Sequence, residues 1–252
     1  MFILDVTKSI KPNAANLLVV RVLNPKDEPI EGIALQETPH RNKTCEFTYG
    51  CDYNHGGIED SVELIVAPAV RVDDVFVHPD PKTGIMHVES SIKNTLSKSA
   101  GGYIEYSVSS ARGDKTLLVK RVTQVLQPGT TLARADLKLD NPRLWELDDP
   151  YLYRVAVKVW VKGSKSFDEH STRCGFRDFR IVDGYFHLNG KRLFLRGALD
   201  SNMWPAEVDP RRYNDLLRRD LILMKAMGFN CLRMIAAPAT RHRLVLCDEI
   251  GL

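Results

Sequence analysis

The chain has no uninterrupted apolar run of about eighteen residues, the length a bilayer-crossing helix needs, so no membrane partner is expected. It also lacks any block of about five or six like charges. The formal net charge of only +3 over 252 residues argues against nucleic acid as the main partner. Cysteine is scarce and odd in number. Cys45, Cys51, Cys174, Cys231 and Cys247 show no C-x-x-C spacing, and His78, His87, His170 and His187 stand alone in strand-like runs. No metal site is read from them, and no cofactor is called for. Cys45 and Cys51 are close enough in sequence for a disulfide, whereas Cys231 and Cys247 read as small hydrophobes on covered faces. Met1-Phe2-Ile3-Leu4-Asp5 offers neither the basic stretch nor the apolar core of a secretory leader. Asn42-Lys43-Thr44 has the pattern of a glycosylation acceptor, which matters only in a chain secreted by a eukaryote.

What is present is ordinary for a folded protein: 44% hydrophobic and 27% charged residues, in a chain long enough for one large or two to three small domains. The most informative stretch runs from Phe176 to Leu252. Asp183-Gly184 and Asn189-Gly190 sit between short runs of β-branched, aromatic and leucine residues, which predicts a small β-ribbon. After Leu193-Phe194-Leu195, Asp209-Pro210 reads as an N-cap followed by a first helical residue. Tyr213, Leu216, Leu217, Leu221, Met224 and Met227 then recur at helical spacing, and Gly228 is placed to stop the helix. The run 229–235 predicts a short strand covered on both sides, and Thr240 to Ile250, backed by Gly251, predicts a second helix. Strand, helix, strand, helix with short links is the opening of an α/β unit with a parallel sheet.

Arg233 is chemically out of place within that second strand, flanked by Leu232, Met234 and Ile235. A guanidinium in a covered strand is costly unless it is paired or emerges into a polar pocket. It reads either as a site residue at the C-terminal end of a barrel strand or as half of a structural ion pair.

Residues 70–173 carry seven short strand candidates separated by turn residues, as an immunoglobulin-like sandwich requires. Tyr151, Tyr153, Val155, Val157 and Val159 alternate with Arg154, Lys158 and Lys162, so one face is inward and the other wet. Trp145 reads as a core plug beside Pro142 and Pro150 or as an aromatic that stacks on a ligand. Residues 1–69 also read as strands, clearest in FILDVT, LLVVRVLN and VELIV, but with too few of them to close two sheets over a core. Asp52, Tyr53, Asn54 and His55 form a polar loop, either solvated or leaning over a ligand.

The ordered set Gly175-Phe176-Arg177, Leu188-Asn189-Gly190-Lys191, Leu195-Arg196-Gly197, Met224-Lys225, Gly228-Phe229-Asn230, Leu232-Arg233, Leu246-Cys247-Asp248-Glu249 and Gly251-Leu252 resembles the barrel start of glycoside hydrolase family 2. That family includes β-galactosidases, β-glucuronidases and β-mannosidases. Asn141-Pro142-Arg143-Leu144-Trp145 with Asp149-Pro150-Tyr151-Leu152-Tyr153 resembles the end of its immunoglobulin-like domain. Phe2 to Thr7, Val20 to Asn24 and Gly56-Gly57-Ile58 resemble the closing segments of its jelly roll.

The resemblance implies a multidomain, mainly β chain. Its expected parts are a partial jelly-roll sandwich over 1–69, an immunoglobulin-like sandwich over 70–173, and the first two β/α units of a TIM barrel over 174–252. It further implies an internal fragment of a retaining β-glycosidase with a carbohydrate substrate. In the family the two catalytic carboxylates lie on later barrel strands, so no catalytic residue is assigned here. Arg233, Asp200 and Trp204 are the candidate substrate contacts, with a solvated loop acid as the alternative for Asp200 and a cap over the barrel core for Trp204. Glu207 and Asp209 match no catalytic position. Leu199-Asp200-Ser201 stands where galactosidases and glucuronidases carry a His, and Met234-Ile235-Ala236-Ala237-Pro238 keeps only the proline of the usual Ser-His-Tyr-Pro. These departures leave the sugar open. A non-catalytic carbohydrate-binding or scaffold β-sandwich is the alternative reading.

Overall fold

The computed structural model describes residues 3–23, 31–32, 58, 62–113, 115–200, 210–234 and 239–252. The chain divides into two compact units, Met1–Val62 and Glu63–Leu252.

In the second unit, seven strands form the sandwich: β1 (Val70–Asp80), β2 (Ile85–Asn94), β3 (Ala100–Ser110), β4 (Thr116–Leu126), β5 (Gly129–Lys138), β6 (Tyr153–Val161) and β7 (Phe167–Cys174). They make a three-stranded sheet, β1-β2-β5, and a four-stranded sheet, β4-β3-β6-β7, with every neighbouring pair antiparallel. Alternation decides the core. Val155, Val157 and Val159 of β6 are buried with Met86, Val88 and Ile92 of β2 and Ile104, Tyr106 and Val108 of β3, while Arg154 on β6 stays exposed. Ser90 and the Tyr106 hydroxyl meet within this core at 3.1 Å, so neither polar group is stranded. β1 bulges between Val72 and Asp74, and the Val72 N–H is taken up by the Asp168 carboxylate of β7 at 2.8 Å, which ties the two sheets together at one edge.

The ribbon follows as β8 (Phe179–Val182), β9 (Tyr185–Leu188) and β10 (Lys191–Arg192), in sheet order β10-β9-β8. Both turn pairs have positive φ, 49° and 80° at Asp183-Gly184 and 51° and 79° at Asn189-Gly190. That is the mirror-image turn whose twist suits a hairpin, and it explains the Asx-Gly sequence at both corners. The Asn189 side chain also accepts from the Asp178 N–H and donates to the Trp145 carbonyl, fixing the ribbon to the sandwich.

The barrel start comprises β11 (Gly197–Asp200), α1 (Pro210–Ala226), β12 (Cys231–Met234) and α2 (Arg241–Ile250). β11 and β12 are parallel, with Leu199 opposite Arg233 and Asp200 opposite Met234. The first strand thus begins at Gly197, after the Leu193-Phe194-Leu195 run. Asn230 accounts for the offset: it donates to the Phe194 carbonyl, accepts from the Arg196 N–H, and donates its own N–H to the Arg196 carbonyl, holding the chain extended ahead of the ladder. α1 ends at Gly228 (φ 90°), where the Phe229 N–H returns to the Met224 carbonyl. α2 begins at Thr240, whose hydroxyl accepts from the Arg243 N–H, and ends at left-handed Gly251.

Three expectations are corrected. FILDVT, LLVVRVLN and VELIV form no strand among the described residues of 1–69. Leu17, Leu18, Val19, Leu64, Ile65 and Val66 there are exposed. An apolar run becomes a strand only when a partner supplies the other half of the ladder, and no described residue does so. Leu217 and Leu221 of α1 are buried, but Leu216 and, just past the helix end, Met227 are exposed. Two strands and one neighbouring helix cover only part of the apolar stripe. β12, finally, has an apolar cover on one face only among the described residues: Leu232 packs against the helix-side cluster of Leu217, Leu221 and Leu246, and the opposite face carries half-buried Cys231 and exposed Arg233.

Candidate functional site

The C-terminal end of β11 and β12 is where sequence and fold together place candidate contacts. Leu232 packs beneath the helices, and the Met234 sulfur meets the Arg243 guanidinium at 3.7 Å, so these alternate residues face the helix layer. Arg233, between them, faces away from the helices. It is exposed and has no carboxylate within salt-bridge reach among the described residues. A guanidinium that offers five N–H donors is thus available to hydroxyl or carboxylate oxygens.

Leu199 shares Arg233's register position and is 59% exposed, so the pair occupies the same open face. Asp200 stands one step on, opposite Met234, at the last position of β11. The structure therefore brings the backbones of Asp200 and Arg233 to the same end of adjacent strands, one register step apart. Trp204, Glu207 and Asp209 lie outside the described residues, as do Cys45, Cys51, Asn42-Lys43-Thr44 and Asp52 to His55.

Trp145 is placed by packing. It is 3% exposed, its N–H donates to the Phe176 carbonyl, and its indole Nε1 donates to the Asp248 carbonyl at 2.8 Å. The Arg177 guanidinium covers one ring face at 4.9 Å. The aromatic that sequence left between two roles is the joint between sandwich, ribbon and α2. Lys225 reinforces it by donating to the Leu147 and Gly251 carbonyls, both at 2.7 Å. Only its place beside Gly228-Phe229-Asn230 marked that lysine in the sequence.

Around the same joint, Glu249 bridges Arg173 and Arg218. Burial alone would push its carboxyl up, but the hydrogen bonds and charges of the two arginines outweigh burial and hold it below the usual glutamate range. Asp248 goes the other way, raised by burial against the opposing pull of Arg177 and Arg173. Burial against the sandwich core also pushes the Cys174 thiol up to about 12.

A β-sandwich that passes through a short ribbon directly into parallel β/α units, with an arginine unpaired among the described residues at their C-terminal end, is the domain order that the resemblance to glycoside hydrolase family 2 implies. Comparison with known proteins agrees with this: residues 70–177 match the model of glycosyl hydrolases family 2, and residues 179–252 match that family's TIM barrel domain. The chain belongs to glycosyl hydrolases family 2.

Among its relatives is a β-galactosidase of Thermoanaerobacter pseudethanolicus, 30% identical over all of this chain and 32% of its own length. A β-galactosidase of Alteromonas mediterranea is 28% identical over 78% of this chain and 19% of its own. The crystal structure of Parabacteroides merdae β-glucuronidase with glycerol in its active site superposes with a TM-score of 0.62 at 30% identity, covering 73% of this chain and 23% of that one. The chain thus spans between about a fifth and a third of the length of the curated relatives it matches.

Proposed function

We propose that these residues belong to a retaining β-glycosidase that hydrolyses terminal β-glycosidic bonds, and that they supply substrate contacts rather than the carboxylate pair. The division follows the sequence: 1–69 from a jelly roll, 70–173 an immunoglobulin-like sandwich, 174–252 the opening of the catalytic barrel. In a barrel, substrate binds where the C-terminal ends of the strands converge. One observation carries the reading. Arg233 stands at that end, exposed, on the face opposite the helices and without an ion-pair partner among the described residues. Asp200, at the end of the neighbouring strand, and Trp204 beyond it complete the proposed contacts, one to a sugar hydroxyl and one to a sugar face. The galactosidase and glucuronidase relatives support a β-glycoside as substrate class.

A retaining mechanism needs two carboxylates about 5–5.5 Å apart, one as nucleophile and one as acid/base. No residue of this chain is assigned to either role, so the 252 residues alone are expected to hold a glycoside without turning it over. The test is hydrolysis of aryl β-glycosides by the purified chain, alongside calorimetric titration with the same compounds. Turnover well above background, with contaminating glycosidase excluded, would sink the assignment of roles.

A further inference from the structure

A cleft of about 320 Å³ separates the β6–β7 surface of the sandwich from α2, with Arg154, Ser171 and Arg173 on one wall and Arg241 and Asp248 on the other. Its volume lies within the range of small-ligand sites, about 300–1,000 Å³. A second hollow, of about 360 Å³, adjoins it through shared Leu152 and Arg173 and adds Arg112, Arg218 and Glu249. Five arginines thus face two carboxylates, an excess of three positive charges.

The placement of two of them sets like charges side by side. Arg154 and Arg173 are direct register partners across β6 and β7, and like charges directly opposite each other on an antiparallel pair destabilise it. Glu249 answers Arg173 and Arg218, and Asp248 is paired with Arg177. Arg154, Arg241 and Arg112 have no carboxylate within salt-bridge reach among the described residues. Two guanidiniums without an ion-pair partner among the described residues therefore line one cleft from two different modules, Arg154 from the sandwich and Arg241 from the barrel start. Ser171 of β7 adds a hydroxyl-bearing residue to the same lining. The planar fork of a guanidinium matches the oxygens of a phosphate or sulfate, to which it binds bidentately.

We propose that this cleft binds a phosphate or sulfate group, free or carried on a sugar, between Arg154 of β6 and Arg241 of α2, with Arg173 beneath it. The bound anion relieves the Arg154–Arg173 repulsion and fastens α2 to the sandwich. The inference is independent of the hydrolytic reading, since it uses neither Arg233 nor Asp200.

The experiment is calorimetric titration of the whole 252-residue chain with inorganic phosphate, inorganic sulfate and glucose 6-phosphate, each against chloride at matched ionic strength. Saturable binding beyond chloride is expected, and Arg154→Gln and Arg241→Gln should each weaken it by about tenfold or more through loss of charge-assisted bonds. Tighter binding of glucose 6-phosphate than of inorganic phosphate places the group on a sugar; equal binding assigns the free ion. Because both arginines are exposed, thermal melting of the unliganded variants should match the parent chain, with Arg154→Gln equal or higher. Arg154→Lys, which keeps the charge and loses the fork, should fall between. Absence of saturation above chloride, or binding equal in the parent and in folded Arg154→Gln and Arg241→Gln, overturns the proposal.

Discussion

The indole Nε1 of Trp145 donates to the main-chain carbonyl of Asp248 at 2.8 Å, joining positions 103 residues apart. The last carbonyls of a helix have no intrahelical partner, and α2 finds partners from outside itself. Trp145 takes the Asp248 carbonyl, and Lys225 takes that of Gly251 just beyond the helix end, where a cation also suits the negative end of the helix dipole. The sandwich thus completes the C-terminus of a barrel helix, and the two modules share one hydrogen-bonded joint.

Trp145→Phe keeps most of the buried ring and leaves the Asp248 carbonyl without its donor, at an expected cost of about 1–3 kcal/mol. Trp145→Ala adds a cavity and should cost about 3–5 kcal/mol. Denaturant unfolding of the chain checks both. Equal stability of Trp145→Phe and the parent would mean that solvent replaces the indole at no cost, and that the joint rests on packing alone.

Gly251 is the second fixed point of the joint. Its φ is 86°, and a Cβ added there would lie 2.0 Å from the Leu147 carbonyl oxygen, a main-chain atom with no freedom to swing aside. Gly251→Ala therefore carries both left-handed strain, about 1 kcal/mol or more, and a steric clash. Its melting temperature should fall clearly below that of Gly190→Ala, where φ is 79° but nothing lies within 4 Å of the added carbon. Equal losses at the two sites would show that the Leu147 loop yields.

How much of this was readable in advance depends on whether the signal was local. Asp183-Gly184 and Asn189-Gly190 announce their turns because few other pairs adopt positive φ twice in succession. Thr240 and Gly251 mark the ends of α2 for a similar reason, since caps are chemical requirements of the helix itself. Alternation in β6 told which residues face inward. Periodicity does not say what stands opposite a face. That is why Leu216 and Met227 look as core-bound as Leu217, and why the apolar runs of 1–69 read as strands although no described residue pairs with them. The Arg154–Arg173 register and the Trp145–Asp248 bond are likewise invisible before strands and helices are set side by side. At the candidate site the sequence singled out Arg233 by its chemistry, and only the fold showed which face it occupies.

Arg233 being exposed and unpaired among the described residues, its removal should barely touch folding. Arg233→Ala is expected to unfold within about 0.5 kcal/mol of the parent, while losing whatever glycoside binding the chain shows by calorimetry. A loss of stability above about 1 kcal/mol would reveal an ion pair and remove the main support for a substrate contact.

Cys174 sits partly buried against the sandwich core, and its thiol is pushed up to about 12 by burial. The thiolate is the reactive species. Mass-spectrometric mapping after iodoacetamide treatment near pH 8 should find Cys174 unmodified in the folded chain and modified once denaturant is present. Modification at equal rates in both states would show that the β7 edge opens readily.

Adjacent acids on α2 should give pH effects of opposite sign. Burial raises the Glu249 carboxyl, but the bonds and charges of Arg173 and Arg218 prevail, so its folded pKa lies below the unfolded one. A depressed carboxylate contributes stability that is present above the unfolded pKa and lost as pH falls through the folded value. Glu249→Gln should therefore be less stable than the parent near neutrality, by about 1 kcal/mol on the scale of partly exposed ion pairs, with the gap closing in acid. For Asp248, burial prevails over Arg177 and Arg173 and the folded pKa is raised. The stability linked to that shift is present below the unfolded pKa and lost as pH rises through the folded one. Asp248→Asn should then be at least as stable as the parent near neutrality, with its advantage shrinking as acid protonates the native aspartate. Denaturant stability of the three chains from about pH 3 to pH 8 separates these trends, and variants that shift the profile in the same direction would mean that Asp248 owes its state to the arginines rather than to its burial.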